Sequence, residues 1–293
     1  MTPLSILLVL ASALIHSSWN FFTKRGNWPV EFFFWVFFCG VILYLPFFIG
    51  FGVFPSLLLN ASSQLWAIVI LSGFFETIYF ICLVEAYRAG DLSLVYPISR
   101  SAPLFTQIWA TLFIGEILSP KGILGIGLVM IGLFVISMKH SQLKPIVSSS
   151  NPFASRPYLL ALGAALASSI YSVIDKAGVQ VIHPVFYLWF INLWMSIDTG
   201  LYLLFTRGPS FLKVWKESKK EILTMALLQN GAYLLVLIAM QMSKVSYVVA
   251  FRQAGALFGA GMGIVLLKEG HWKPRITGAL ILTLGLLLIG LAK

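Results

Sequence analysis

The chain has 293 residues, 59% of them hydrophobic and only 10% charged, with a mean hydropathy of +0.92. A soluble domain carries roughly 25% charged residues, so a water-soluble globular fold is excluded and an integral membrane protein is expected. The net charge of +10 does not indicate nucleic acid, because most basic residues sit in short connections between apolar runs, where they set topology and meet lipid headgroups.

About 20 apolar residues in a helix cross a hydrocarbon layer about 30 Å thick. Ten windows of that order run from Leu4 to Thr23, Phe32 to Phe54, Leu65 to Tyr87, Leu92 to Ile114, Gly122 to Met138, Tyr158 to Ile174, Pro184 to Thr206, Ile222 to Met242, Val245 to Leu267 and Ile276 to Leu291. Transmembrane strands would alternate in polarity, whereas these runs are apolar all round. The prediction is an all-α membrane protein of ten transmembrane helices.

Span 1 has no basic residue before it and leads into Lys24 and Arg25 without a small-residue cleavage site, so it is expected to stay as a helix. Within it Ser12, His16, Asn20 and Lys24 recur every fourth residue and form one polar stripe. Such a stripe must face protein or water. Cys39 and Cys82 both fall inside spans, which argues against a disulfide framework.

Span 3 places Glu76 midway, with Tyr79 one turn on. A charge at that depth costs roughly 2.5 to 3.5 kcal/mol even on lenient insertion scales, so Glu76 is expected to be protonated, paired or hydrated. Span 4 carries Ser93, Tyr96 and Arg100 on one face, and Pro97 and Pro103 interrupt the hydrogen-bond ladder around the arginine. On span 6, Ser168, Tyr171, Ser172 and Asp175 mirror the stripe of span 1; on span 7, Trp189, Asn192 and Ser196 share a face and Asp198 is a candidate counter-charge. Span 8 holds Gln229, Asn230 and Tyr233, and span 9 holds Ser246, Tyr247, Arg252 and Gln253, with a break expected among Gly255, Gly259, Gly261 and Gly263. Gly122, Gly125, Gly127 and Gly132 on span 5 and Gly278, Gly285 and Gly290 on span 10 predict close helix packing without substrate contact.

The Ser- and Pro-rich stretch from Lys139 to Arg156 divides five spans from five. The expected organisation is a first repeat over 1–140, a linker over 141–156 and a second repeat over 157–293. A shift of 153 positions aligns Glu76 through Met138 with Gln229 through Leu291 without a gap, pairing Ser93 with Ser246, Glu116 with Glu269, Gly125 with Gly278 and Gly132 with Gly285. A five-span repeat is odd-numbered, so the second copy must be inverted in the bilayer, as in many secondary transporters. Of the 20 Lys and Arg residues, Lys121, Lys176, Lys244 and Lys293 lie on the side of the termini, Arg100 and Arg252 lie inside spans, and fourteen lie on the opposite side. The positive-inside rule then puts both termini outside and the linker in the cytoplasm.

Arginine stays charged and presents a planar fork to carboxylate or phosphate. Arg100 and Arg252 against one clearly buried Glu76 leave a local positive excess, which favours a small anionic or zwitterionic substrate such as an amino acid, organic acid or phosphonate. The candidate substrate-binding residues are His16, Trp19, Asn20, Glu76, Tyr79, Tyr96, Arg100, Tyr171, Trp189, Gln229, Asn230, Tyr233, Arg252 and Gln253. His16, whose ordinary pKa is near neutrality, and Glu76 are the proton-coupling candidates. No Walker-type loop, HExxH or dinucleotide fingerprint is present, so neither metal nor organic cofactor is expected.

The ten spans, the duplication, and the glutamates of GEILSPKGILGIG and KEGHWKPRITGAL ahead of a Gly-rich fifth helix resemble, over the whole chain, the EamA family of the drug/metabolite transporter superfamily. Within it, LIHSSWNFFTK is similar to the His-Ala-x-Trp-Asn-x-x-x-Lys first helix of members associated with phosphonate utilisation, with Ser17 in place of the alanine. The resemblance implies a secondary carrier whose cavity is formed by helices 1, 3, 4, 6, 8 and 9, with helices 5 and 10 peripheral. It also implies cytoplasmic termini in many bacterial relatives, against the charge count. The expected protein is an alternating-access transporter of the plasma membrane, a monomer or homodimer among lipids, driven by proton coupling or exchange. An intramembrane enzyme acting on a lipid-linked substrate and a channel or structural subunit are the competing readings.

Overall fold

A computed structural model describes residues 1–23, 29–50, 62–137, 155–206, 211–265 and 272–292. The helices are α1 (Pro3–Thr23), α2 (Val30–Gly50), α3 (Ser63–Ala89), α4 (Leu92–Ser99), α5 (Ala102–Ile114), α6 (Pro120–Ser137), α7 (Arg156–Val181), α8 (Pro184–Thr206), α9 (Phe211–Met242), α10 (Val245–Phe251), a 3-10 turn (Arg252–Ala254), α11 (Gly255–Val265) and α12 (Trp272–Gly290). No strand occurs among the described residues, and the all-α class stands. By length and apolarity α2, α3, α6, α7, α8 and α9 can each cross a membrane; α1 and α12 carry the shorter apolar stretches Pro3–Ser17 and Pro274–Gly290.

Predicted spans 4 and 9 are each divided. Between α4 and α5, Pro103 has no N–H to offer Ser99, and the hydroxyls of Ser99 and Ser101 accept no role in the ladder but donate to Tyr96 O (2.9 Å) and Ile98 O (2.7 Å). The second break, expected among Gly255, Gly259, Gly261 and Gly263, is a 3-10 turn over Arg252–Ala254 that ends against Gly255 and carries Arg252 itself, while Gly259, Gly261 and Gly263 lie within α11. Both arginines therefore stand at breaks.

Two helix pairs fix the arrangement of the halves. On α6 and α12 the glycines remove side chains where backbones meet: a Cβ on Gly132 would lie 2.5 Å from Leu282 N and 2.6 Å from Gly278 O, and one on Gly125 2.8 Å from Gly285 O. The numbering falls along one helix as it rises along the other, so α6 and α12 are antiparallel. The same holds for α3 and α7, where Ser72 meets Asp175 and Cys82 meets Gly163. Such pairs are held by van der Waals contact and polar bonds, since lipid tails are as apolar as leucine. Consistently, Phe205, Ile117, Phe113 and Leu291 remain outward and exposed, while Ser72, Asp175, Asn192 and Asn230 are buried.

α5 ends at Gly115, whose φ of 66° is the left-handed conformation that glycine adopts without strain. The turn delivers Glu116 to the start of α10, where its carboxylate accepts from Val245 N (2.6 Å) and Ser246 Oγ (2.9 Å). Helix N-termini leave unpaired N–H groups and attract negative charge. Glu116→Ala is expected to lower unfolding stability by about 1 to 2 kcal/mol, read as a drop in melting temperature, with Glu116→Gln losing less because the amide oxygen still accepts. At the far end of α9, Lys176 Nζ donates to Met240 O (2.5 Å) and Ser243 O (3.2 Å), closing its last carbonyls.

Candidate functional site

The breaks beside Arg100 and Arg252 and the buried polar faces of α1, α3, α7, α8 and α9 converge on two adjoining cavities. The larger, about 50 Å³, is lined by Ser12 and His16 of α1, Glu76 and Tyr79 of α3, Tyr171 of α7, Asn192 of α8, Gln229, Asn230 and Tyr233 of α9, and Arg252. The smaller, about 20 Å³, is lined by Tyr79, Ser99, Arg100, Ser168, Tyr171, Arg252 and Gln253. Tyr79, Tyr171 and Arg252 belong to both. Helices α6 and α12 contribute nothing to either. Beyond the helices implied by the resemblance, α2 and α8 take part, through Phe37 and through Leu188, Ile191, Asn192 and Met195.

The arginines carry the main electrostatic feature. Arg100 Nη2 lies 2.8 Å from His16 Nε2. A guanidinium only donates, so in this arrangement Nε2 accepts and the imidazole proton lies on Nδ1. Arg100 also sits 5.6 Å over the Tyr96 ring, and Arg252 sits 5.4 Å over the Tyr233 ring. Among the described residues no carboxylate bridges either arginine; the ion pairs there are Arg88 with Glu85 and Lys213 with Glu217. Arg100 Nε is buried without a hydrogen-bond partner.

Tyrosines share the larger cavity's wall with Arg252 and with the acidic Glu76. Tyr79 packs edge-on against Tyr171 (5.7 Å between centroids), and Tyr171 against Tyr233 (6.3 Å). Beyond them Asp175, fully buried, accepts hydrogen bonds from Ser72, Tyr233 and Tyr187 (2.9 Å). Gly178 admits the Tyr187 ring; a Cβ there would overlap its Cζ and Cε2. Gly178→Ala is therefore expected to displace Tyr187 from Asp175 and lower stability by about 1 to 3 kcal/mol, measurable by thermal unfolding.

The expected site residues divide clearly. His16, Glu76, Tyr79, Tyr171, Gln229, Asn230, Tyr233 and Arg252 line the larger cavity, and Arg100 and Gln253 the smaller. Asn230 Oδ1 is held by Asn192 Nδ2 at 2.7 Å, and Gln253 Nε2 donates to Val249 O at 3.2 Å. Tyr96 and Trp189, both expected at the site, line neither cavity: the Tyr96 ring packs against Arg100, and Trp189 Nε1 donates to Val41 O at 3.1 Å. The side chains of Trp19 and Asn20, and Lys24 altogether, lie outside the described residues. Asp198 is not the counter-charge: it is half-buried and lines neither cavity.

Asp175 is the main polar group that the span limits excluded. The apolar window closes at Ile174, yet α7 continues to Val181. Its spacing from Ser168 and Tyr171 already placed it on their face.

A solved crystal structure matches the chain with a TM-score of 0.75 at 16% identity, covering 98% of this chain and 97% of that one, and 28 chains of solved structures match in all. At that identity the likeness shows the fold alone. No curated protein matches in sequence. The pattern of the EamA-like transporter family matches twice, over residues 3–138 and 155–291. With nearly the whole length matched and a helical bundle around a polar interior, the chain belongs to the EamA-like transporter family and is a multi-pass integral membrane protein.

Proposed function

We propose that the chain is a ten-crossing secondary carrier, built from two inverted five-helix repeats over 1–140 and 157–293, that moves a small anionic or zwitterionic metabolite by alternating access. The observation that carries this reading is the pair Arg100 and Arg252, facing adjoining cavities between the two matched segments with no carboxylate bridging either among the described residues. A buried guanidinium without a counter-ion is costly, and a carboxylate or phosphonate docking between the two removes that cost. Antiparallel packing of α6 on α12 supports inversion. The cavity of about 50 Å³ holds a few waters, so a metabolite fits only when the walls part, as a rocking of halves allows. Tyr79, Tyr171 and Tyr233 offer ring faces for its organic part.

Thermal unfolding of the purified chain with amino acids, organic acids, phosphonates and simple amines tests the substrate class. A ligand bound only by the native fold raises the melting temperature, by about 2.7 kcal/mol of stability at 100 times its dissociation constant. The reading expects shifts from anions or zwitterions and none from amines alone. Shifts produced by amines alone would overturn it.

A further inference from the structure

The acidic region lies across the seam between the two matched segments. Ser72 and Glu76 come from α3 in the first, and Asp175, Tyr187 and Tyr233 from α7, α8 and α9 in the second. Glu76 lies one turn beyond Ser72 on α3 and lines the larger cavity together with Tyr233, and Ser72 and Tyr233 both donate to Asp175, so the two carboxyl groups belong to one buried cluster. Asp175 has three hydroxyl donors, Ser72 and Tyr187 on Oδ1 and Tyr233 on Oδ2. Glu76 is 95% buried, at 5% relative exposure, and its Oε1 lines the cavity side with no hydrogen-bond partner among the described residues. The remaining titratable neighbours are His16 on α1, Tyr79 on α3, Tyr171 on α7, Tyr187 on α8, Tyr233 on α9 and Arg252 at the break after α10.

We propose that Glu76 and Asp175 form a proton-binding site between the repeats, one proton shared by two carboxyl groups, whose release to cavity water frees the Glu76 side chain from Asp175 across the seam. Two carboxylates in one buried cluster away from bulk water cannot both hold charge without strong repulsion. With one proton present the pair is a hydrogen bond that joins the halves. When that proton leaves for cavity water, two negative groups face each other across the seam. Asp175 is tied by its hydroxyl donors to α8 and α9 and, through Ser72, to α3 itself, so the Glu76 side chain is the part free to move. His16 is the weaker coupling candidate of the two, because a proton on Nε2 would remove the acceptor that Arg100 now uses and set two cations together.

The proton site stands on this geometry alone; its role in coupling rests on the carrier reading. Infrared spectra of the full chain in lipid nanodiscs, recorded against pH in H₂O and D₂O, test the site without any substrate. Expected is a protonated-carboxyl C=O band at neutral pH that shifts in D₂O, accounts for one proton per chain, and is absent from Glu76→Gln. Asp175→Asn should change the pH at which it disappears. Tyr233→Phe should shift its frequency, and that variant serves if Asp175→Asn does not fold. A wild-type spectrum with no such band at neutral pH, or a band that Glu76→Gln leaves intact, would overturn the proposal. A normal band in a chain that binds no anion would retain the proton site and remove the carrier reading.

Discussion

Arg100→Gln is expected to weaken binding of whichever anion stabilises the native chain by roughly 10- to 150-fold, from the 1.5 to 3 kcal/mol of a hydrogen bond to a charged group. Glutamine keeps polarity and much of the length but loses the charge and the fork. Arg252→Gln is expected to act in the same direction, because both guanidiniums reach adjoining cavities. Arg100→Lys should recover little, since an ammonium cannot donate in the planar, two-toothed geometry. Equilibrium binding on folded variants checks this, with near-native unfolding as evidence that each variant retains its structure. Unchanged affinity in both glutamine variants would show that the arginines serve packing.

Gly132→Leu is the second large effect, and it concerns folding. The position has no room, because even a Cβ would approach Leu282 N at 2.5 Å and Gly278 O at 2.6 Å, both backbone atoms that cannot rotate aside. The helices must separate, and α6–α12 loses contact along the same glycine seam at Gly125 and Gly285. Overpacking typically costs about 1 to 3 kcal/mol, and with rigid backbone on the facing side the upper end is expected. Gly127 supplies the contrast, since nothing lies within 4 Å of its Cβ position. Gly127→Ala should stay within about 0.5 kcal/mol of the parent. Denaturant unfolding in detergent compares them, and equal stability of the two variants would contradict the close seam.

Much of this was legible in the sequence where one physical rule dominated. The apolar windows gave the helices, Pro103 the first break with Pro97 inside α4, and Gly125, Gly132, Gly278 and Gly285 the contact of spans 5 and 10, while Gly122 meets Tyr247 and Gly127 meets nothing within 4 Å. The convergence of Arg100 and Arg252 followed from their matching places in the duplication. What was not legible depended on tertiary context. The second break is a 3-10 turn at Arg252–Ala254 that ends against Gly255, while the chain stays helical through Gly259 and Gly261 although nothing lies within 4 Å of their Cβ positions. Helix α9 begins at Phe211, well before the window at Ile222, and a non-helical kink at Ser218 sets its Lys-rich start apart from the apolar part that the window found. Asp175 is legible on the polar face of span 6, but its hydroxyl partners come from three other helices, which no local rule shows.

The claim on which the account turns is that a cationic chamber between the repeats serves each face of the membrane in turn. Counterflow in sealed proteoliposomes tests it most directly. Vesicles preloaded with the stabilising anion, unlabelled, should accumulate the labelled anion transiently, saturably and without chemical change, and Arg100→Gln vesicles should not. Uptake that rises without saturation, shows no overshoot after preloading, or is equal in the Arg100→Gln vesicles would contradict it.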